Sequence, residues 1–502
     1  MTESTDNSNG NGKSHSARDE TTPLLAASAA GPTTQSNEEP LLHAQPNGNN
    51  TGDDEDNTPL PRAQIFLLCY ARIVEPIAFF CIFPFINQMI FDTGKVDQAD
   101  VGFYSGLIES LFSLTQMILM IPWGRAADRY GRKPVLVFSL AGASIATALF
   151  GISTEIWQMI LFRCLAGAFA GTVVTVRAMI TENSTPKTHA RAFSFFAFSS
   201  NLGLFLGPLI GGVLSNPADQ YPRLFGNIQF FRDYPYALPT FGTGAVGVSA
   251  CIISALFIKE TLKKKPDEGS ITLTLTTWEI IKYPGIIPVL LLYGYILLLA
   301  FAYTAVVPIF WFTSPELGGF GFTPLQISIF LGGAGISQAL WTLFAFPPLQ
   351  LRFGTGGVLR MCSMAWPMLF TLPAVGNILL RQGLYTAFWI IAPIGTFLGA
   401  GCSMAFAAAQ LAVNDISPSS SSLGTVNAIA LTLVSGERAI APALFASLFA
   451  ASVRSRILYG HLIWVLMVLI ALGLAVALRW LPKRAEGRAK KVGIDENDEI
   501  EA

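Results

Sequence analysis

The sequence predicts an all-α membrane protein: one large bundle of about twelve spanning helices. Three observations predict it. The 502-residue chain is 52% hydrophobic and only 13% charged. A soluble domain carries about 25% charged residues, so most side chains here have no water to face. Apolar runs long enough to cross a hydrocarbon core, about 20 helical residues each, recur between residues 61 and 481. One charged linker divides these runs into two sets of six. The net charge of −1 gives no electrostatic footprint for a nucleic-acid partner.

Residues 1–60 are rich in Ser, Thr, Asn, Gly and acids. They cannot bury a core and read as a disordered cytoplasmic tail. The opening MTESTDNSNGNGKSHS lacks an apolar signal-peptide region, so the first span is expected to act as an uncleaved signal anchor. Glu20-Thr-Thr-Pro-Leu24-Leu25 resembles an acidic dileucine signal read by sorting adaptors. A chance match of so short a pattern is the alternative.

Residues 61–258 hold spans 1 to 6, near Gln64–Ile90, Gly102–Trp123, Pro134–Ser153, Trp157–Ile180, Ala192–Leu214 and Ala237–Ile258. The linker, 259–283, carries Lys259, Lys263, Lys264, Lys265 and Lys282. Residues 284–481 hold spans 7 to 12, near Ile286–Phe312, Pro324–Phe346, Gly357–Val375, Leu384–Val413, Leu423–Ala450 and Ile457–Leu481. Residues 482–502 form a cytoplasmic tail. A six-plus-six layout suggests two similar bundles around a central cavity.

Basic residues set the expected orientation. With the N-terminus inside, the cytoplasmic segments hold Arg125, Arg129, Arg132, Lys133, Lys187, Arg191, the linker lysines, Arg352, Arg360 and six further basic residues from Arg479 onward. The opposite loops hold only Lys95, Arg223, Arg232, Arg381, Arg454 and Arg456. Both termini are therefore expected in the cytoplasm, and the sequons at Asn49 and Asn183 are expected to stay unglycosylated. The six cysteines all fall in apolar stretches and no histidine sits mid-span. No metal site, cofactor site, phosphate loop or nucleophile–base set is legible, which argues against an enzyme.

Mechanism-bearing motifs begin between spans 2 and 3, at Gly124-Arg-Ala-Ala-Asp128-Arg129-Tyr-Gly131-Arg132-Lys133. Gly124 and Gly131 permit tight turns, and Asp128 can pair with a basic side chain or a helix N-terminus. Span 4 carries Arg163-Cys-Leu-Ala-Gly167. A charge at bilayer depth costs about 2.5–3.5 kcal/mol on insertion scales, so Arg163 must pair, face a wet cavity or snorkel to an interface. Span 5 carries Gly203-Leu-Phe-Leu-Gly207-Pro208-Leu-Ile-Gly211-Gly212, with a glycine at every fourth position. That strip suits close helix packing, and Pro208 bends the helix.

These three motifs resemble the major facilitator superfamily, and the resemblance covers nearly all of Leu60 to Leu481. It implies the major facilitator fold, with twelve transmembrane helices in two six-helix bundles. It further implies a latch at the span 2–3 motif that stabilises the outward-open state, proton coupling at Arg163, and an antiporter motif in span 5. Simple close packing is the alternative for span 5. Tyr234-Pro235-Tyr236 and Glu260-Thr-Leu262 look like fungal members of the drug:proton antiporter-1 group, and more loosely like zinc-induced-facilitator-like carriers.

Span 1 offers Glu75 as a proton carrier, since a desolvated carboxylate can load and release a proton as its surroundings change. A structural pair with Arg72 is the alternative. Glu109 in span 2 is a second proton-site candidate. Glu437-Arg438 in span 11 suits a gate or packing between the halves. Phe79, Tyr303, Trp311, Trp341 and Asn427 are cavity candidates, with an interhelical hydrogen bond the alternative for Asn427. Pro348-Leu-Gln-Leu-Arg352-Phe-Gly354 looks like a decayed copy of the span 2–3 motif.

The expected function is secondary active transport: a proton-coupled antiporter that exports a small organic solute or drug by alternating access. A symporter or facilitator for a nutrient or metal chelate is the alternative, and a transport-inactive receptor or scaffold a distant one. The expected partners are the solute, protons, the lipid bilayer and a sorting adaptor at Glu20–Leu25. A monomer is expected, in the plasma membrane or the vacuolar membrane.

Overall fold

The computed structural model describes residues 60–262, 277–418 and 422–487. All lie within one unit, Gly52–Ala502. The dileucine pattern, the Asn49 sequon, most of the linker and the last basic residues fall outside the described residues. Among those described, twelve long apolar helical segments run back and forth, and six enter each of two bundles.

Span 1 is Arg62–Phe80, followed by a turn at Cys81–Phe85 and a short helix Ile86–Phe91. Hydropathy reads this stretch as one run, but Pro84 sits in the turn and supplies no backbone donor there. Span 2 is Val101–Tyr130 and span 3 is Arg132–Phe150. Span 2 therefore continues seven residues past its expected end. Gly124 is helical, and only Gly131, at φ 104°, makes the turn.

Span 4 is split into Ile156–Ala168 and Thr172–Glu182. Backbone freed inside a bilayer needs a replacement partner, and span 2 provides two. Trp123 donates its indole N–H to the Ala168 carbonyl at 2.7 Å, and Gln116 donates to Ala170 at 3.4 Å. Span 5 is Pro186–Leu214, starting earlier than hydropathy suggests, and span 6 is Ala237–Phe257.

In the second half span 7 is Ile286–Phe312 and span 8 is Pro324–Leu340, prolonged by a wide turn over Trp341–Ala345. Phe346–Arg381 then carries the end of span 8 and all of span 9, broken only where Gly354 takes φ 73°. Span 10 joins Tyr385–Gly399 to Met404–Asp415 through a tight turn at Ala400–Ser403. Span 11 is Leu423–Ser455 and span 12 is Leu462–Ala477.

The packing partners reveal a two-fold repeat. Span 1 packs on 5 as 7 packs on 11, and 3 on 6 as 9 on 12. The halves meet chiefly through two pairs, 2 with 11 and 5 with 8, which the same repeat exchanges. Large apolar side chains such as Phe138, Ile252, Leu291, Phe344, Met368 and Leu469 are exposed around the outside. Only lipid tolerates such a belt.

The halves close at the end where the loop between spans 1 and 2 lies. There a Cβ on Gly106 would meet the Pro442 carbonyl at 2.6 Å, and one on Gly102 the Ala446 carbonyl at 3.2 Å. Ser110 Oγ accepts the Ala443 N–H at 2.8 Å. Span 8 closes on span 5 likewise: Ser328 donates its hydroxyl to the Pro208 carbonyl, and a Cβ on Gly212 would lie 2.7 Å from the Pro324 carbonyl. This seal separates an open pocket of about 520 Å³ among the loops at that end, lined by Gln88, Asn216 and Thr323, from a second open volume on the side of the span 2–3 turn.

Candidate functional site

A cavity of about 360 Å³ lies there between the halves. Spans 1, 2, 4, 5 and 11 line it, through Arg72, Glu75, Gln116, Arg177, Phe196 and Arg438, with an apolar remainder that includes Met117, Met120 and Leu431. The volume falls within the range usual for small-molecule sites.

Glu75 stands on its wall. Gln116 donates to Glu75 Oε1 at 2.7 Å, and Arg72 Nη1 lies 3.5 Å from Oε2, one turn earlier on the same helix. The sequence leaves a proton site and a structural ion pair as alternatives for Glu75; the structure pairs the carboxylate with Arg72 and sets it on the cavity wall. Arg72 and Arg177 lie over one ring, Phe196, at 5.1 and 5.5 Å from its centroid. Arg438 reaches across from the second half to the ring of Phe79 at 4.3 Å.

Arg163 does not snorkel. It is 2% exposed and lies among the rings of Phe112, Phe79 and Phe150 at 4.6, 5.4 and 6.0 Å. Desolvated cation–aromatic contacts of this kind are worth about 2 kcal/mol, and an arginine can lay its flat guanidinium on a ring where a lysine cannot. Glu109, 3% exposed, is its electrostatic partner and also acts on Arg438. Arg163 and Glu109 thus form a buried group behind the cavity wall, joined to it by Phe79 and Phe112.

Span 5 explains its own glycines. A Cβ on Gly203 would lie 2.6 Å from Pro76 Cβ, and one on Gly207 3.0 Å from Phe80 Cβ. One on Gly211 would collide with the Cys81 carbonyl. The strip therefore seats span 5 against span 1, the helix that bears Arg72 and Glu75. Pro208 and Gly212, between and beside these glycines, face span 8.

The span 2–3 motif is tied down within its own half among the described residues. Arg132 Nη2 lies 2.8 Å from Asp128 and 3.1 Å from Glu182 at the end of span 4. Glu260, just after span 6, accepts the Arg132 N–H at 2.9 Å and the Lys133 N–H at 3.0 Å. Arg129 lies over Tyr130, and Gly124 packs near Val174. The decayed copy mirrors the motif's geometry: Gly354 turns like Gly131, and Glu486 after span 12 pairs with Arg360 at 2.5 Å.

Other candidates lie elsewhere. Tyr303 and Trp311 line a small separate pocket among spans 7 to 10. Trp341 donates its indole N–H to the Phe397 carbonyl at 2.9 Å. Asn427 joins an amide network: Gln410 donates to it at 2.7 Å, and it donates to Asn414 at 3.1 Å. Glu437 and Arg438 point apart, Glu437 toward Gly294 of span 7 and Arg438 toward span 1.

Sequence reasoning did not pick out Arg177, Gln116 or Phe196. Arg177 had a signal: it is an ionisable residue in an apolar run, where charge is expensive.

The sequence profile of the Major Facilitator Superfamily matches residues 68–380. The chain belongs to the major facilitator superfamily. Within it, the chain is 49% identical over 434 residues to the efflux pump azaK of Aspergillus niger, covering 86% of this chain and 90% of that protein. It is 30% identical over 472 residues to the major facilitator-type transporter psiT2 of Psilocybe cyanescens, covering 83% and 89%. Among solved structures, a bacterial homolog of the human lysosomal transporter Spinster, inward-facing and unoccupied, shares the fold at a TM-score of 0.61 and 18% identity, covering 84% of this chain and 98% of that one. The protein is thus a multi-pass membrane transporter of the superfamily and not an enzyme.

Proposed function

We propose that the protein is a proton-coupled antiporter that exports a small organic solute by alternating access, with the cavity between the halves as cargo site. One observation carries this reading: Glu75 faces that cavity while held by Arg72 and Gln116. A carboxylate so placed can trade its proton against cargo, because protonation releases Arg72 and changes the charge of the wall. The similarity to an efflux pump of Aspergillus niger favours export. The span 5 glycines, packed on the helix that bears Glu75, provide a route by which a change there reaches the seal.

In this reading the face bearing the span 2–3 turn is cytoplasmic, with both termini, and the structure described above is inward-facing. The membrane is the plasma or vacuolar membrane. The purified protein in liposomes should move cargo against its gradient when a pH gradient is imposed. Glu75→Gln should abolish the response to pH while leaving downhill exchange. Coupling that survives in Glu75→Gln would remove the role given to Glu75, and uptake in place of export would favour a symporter.

A further inference from the structure

The charges of the cavity narrow the cargo. Three guanidinium groups, Arg72, Arg177 and Arg438, line it against one carboxylate, Glu75. Glu75 is already matched by Arg72. Among the described residues neither Arg177 nor Arg438 has a carboxylate within 4.0 Å. Arg438 feels the field of Glu75, which is shared with Arg72, and that of Glu109, which lies outside the cavity and is shared with Arg163. Glu437 faces span 7. The wall therefore carries an excess of positive charge.

The guanidinium groups are also presented for binding. Phe196 takes Arg72 and Arg177 on its ring, which fixes them while leaving N–H edges free. Nε of Arg177 and Nε of Arg72 are buried without a hydrogen-bond acceptor, while Arg72 Nη1 is turned to Glu75. Buried cations in a low-dielectric site call for an anion, and the fork of a guanidinium fits a planar carboxylate or a phosphate oxygen pair. Around them Val173, Val174, Leu431 and Val434 offer apolar surface, and Met117 and Met120 add flexible side chains to it.

We propose that the cargo is an amphipathic organic anion, its acid group held by Arg177 and Arg438 and its aromatic or aliphatic body lying on the Phe196 and methionine side. This rests on the reading above that the cavity is the cargo site. A cationic or neutral cargo would leave Arg177 without a counter-charge and Arg438 with only the shared fields of Glu75 and Glu109.

Three probes of matched shape test it by calorimetry on the full-length protein in lipid nanodiscs: 2-naphthoate, 2-naphthamide and 2-naphthylmethylammonium. Naphthoate should bind tightest and the ammonium probe weakest. Arg177→Gln and Arg438→Gln should each weaken naphthoate about tenfold and weaken naphthamide less, because its carbonyl accepts a hydrogen bond but carries no charge. The proposal is overturned if naphthoate does not bind, if the ammonium probe binds as tightly, or if neither variant weakens naphthoate. Where a variant does not fold, the ranking in the unsubstituted protein decides alone. Failure of the coupling reading is separate: pH-driven transport that persists in Glu75→Gln removes it, while naphthoate binding still reports on the arginines.

Discussion

Glu260 caps a helix that it does not belong to. A helix N-terminus usually finds its acceptor one residue upstream, yet span 3 takes its acceptor from the end of span 6. Partial burial pushes the Glu260 carboxyl up, but the N–H groups of Leu262, Arg132, Lys133 and Thr261 outweigh it and hold the carboxyl below its ordinary value of 4.5. A depressed folded value means stability that is present above pH 4.5 and lost as the pH falls through the lower folded value. Glu260→Gln should therefore lower stability at pH 7 by about 1 kcal/mol or less, since solvent screens an exposed carboxylate. It should also flatten the acid limb of a melting-temperature profile; an unchanged limb would deny the cap. Residues of this kind are half-legible in sequence. Glu260-Thr-Leu262 stands out as a pattern, but its partner lies 128 positions upstream. Arg163 and Glu75 stand out because charge is expensive in a bilayer. Phe196 does not, because one phenylalanine among 37 carries no mark of its position.

At the level of elements, hydropathy locates spans and misses their interruptions. Span 4 is apolar straight through Phe169–Gly171, so composition cannot register that its helix stops there. The signal lies in span 2, where Gln116 and Trp123 offer donors to the freed carbonyls. The same limit hid the length of span 2: Arg125, Asp128 and Arg129 look like a loop by polarity and are the last turns of a helix by geometry. The span 5 glycines were legible as a packing strip, and the structure supplies the surface they pack on. Gly211→Ala would drive a methyl into the Cys81 carbonyl, and overpacking of this sort costs about 1–3 kcal/mol. Gly207→Ala meets its neighbours at 3.0 Å and needs only a small shift. Melting curves in detergent should rank Gly211→Ala clearly below Gly207→Ala; equal losses would mean that span 5 is not held at this depth.

For the whole molecule, the two-fold repeat makes the closed end a paired structure, with spans 2 and 11 on one side and spans 5 and 8 on the other. Rocking of one bundle against the other must part both pairs. A Cβ on Gly335 of span 8 would lie 3.8 Å from the Cβ of Phe205 on span 5, a separation typical of disulfides. Phe205 lies nine residues, about 13 Å along the helix, beyond Phe196 and so on the sealed side of the cavity. Oxidising the double variant Phe205→Cys with Gly335→Cys should stop transport, and a reductant should restore it. Full transport by the cross-linked protein would mean that the halves need not separate there. The division into six and six was visible from the charged linker. Which helices meet across the halves was not, because pairing between bundles leaves no periodicity in either sequence.

Span 5 has one further consequence. On one side it touches span 1 through bare backbone, and on the other it receives a hydroxyl from span 8 through its own Pro208 carbonyl. Side chains can rotate and absorb a displacement; a glycine lying on a neighbouring carbonyl cannot. The connection from the helix of Glu75 to the closure at span 8 therefore has almost no play. A shift of an ångström at one side arrives at the other nearly undiminished, much as in a gear train cut without backlash.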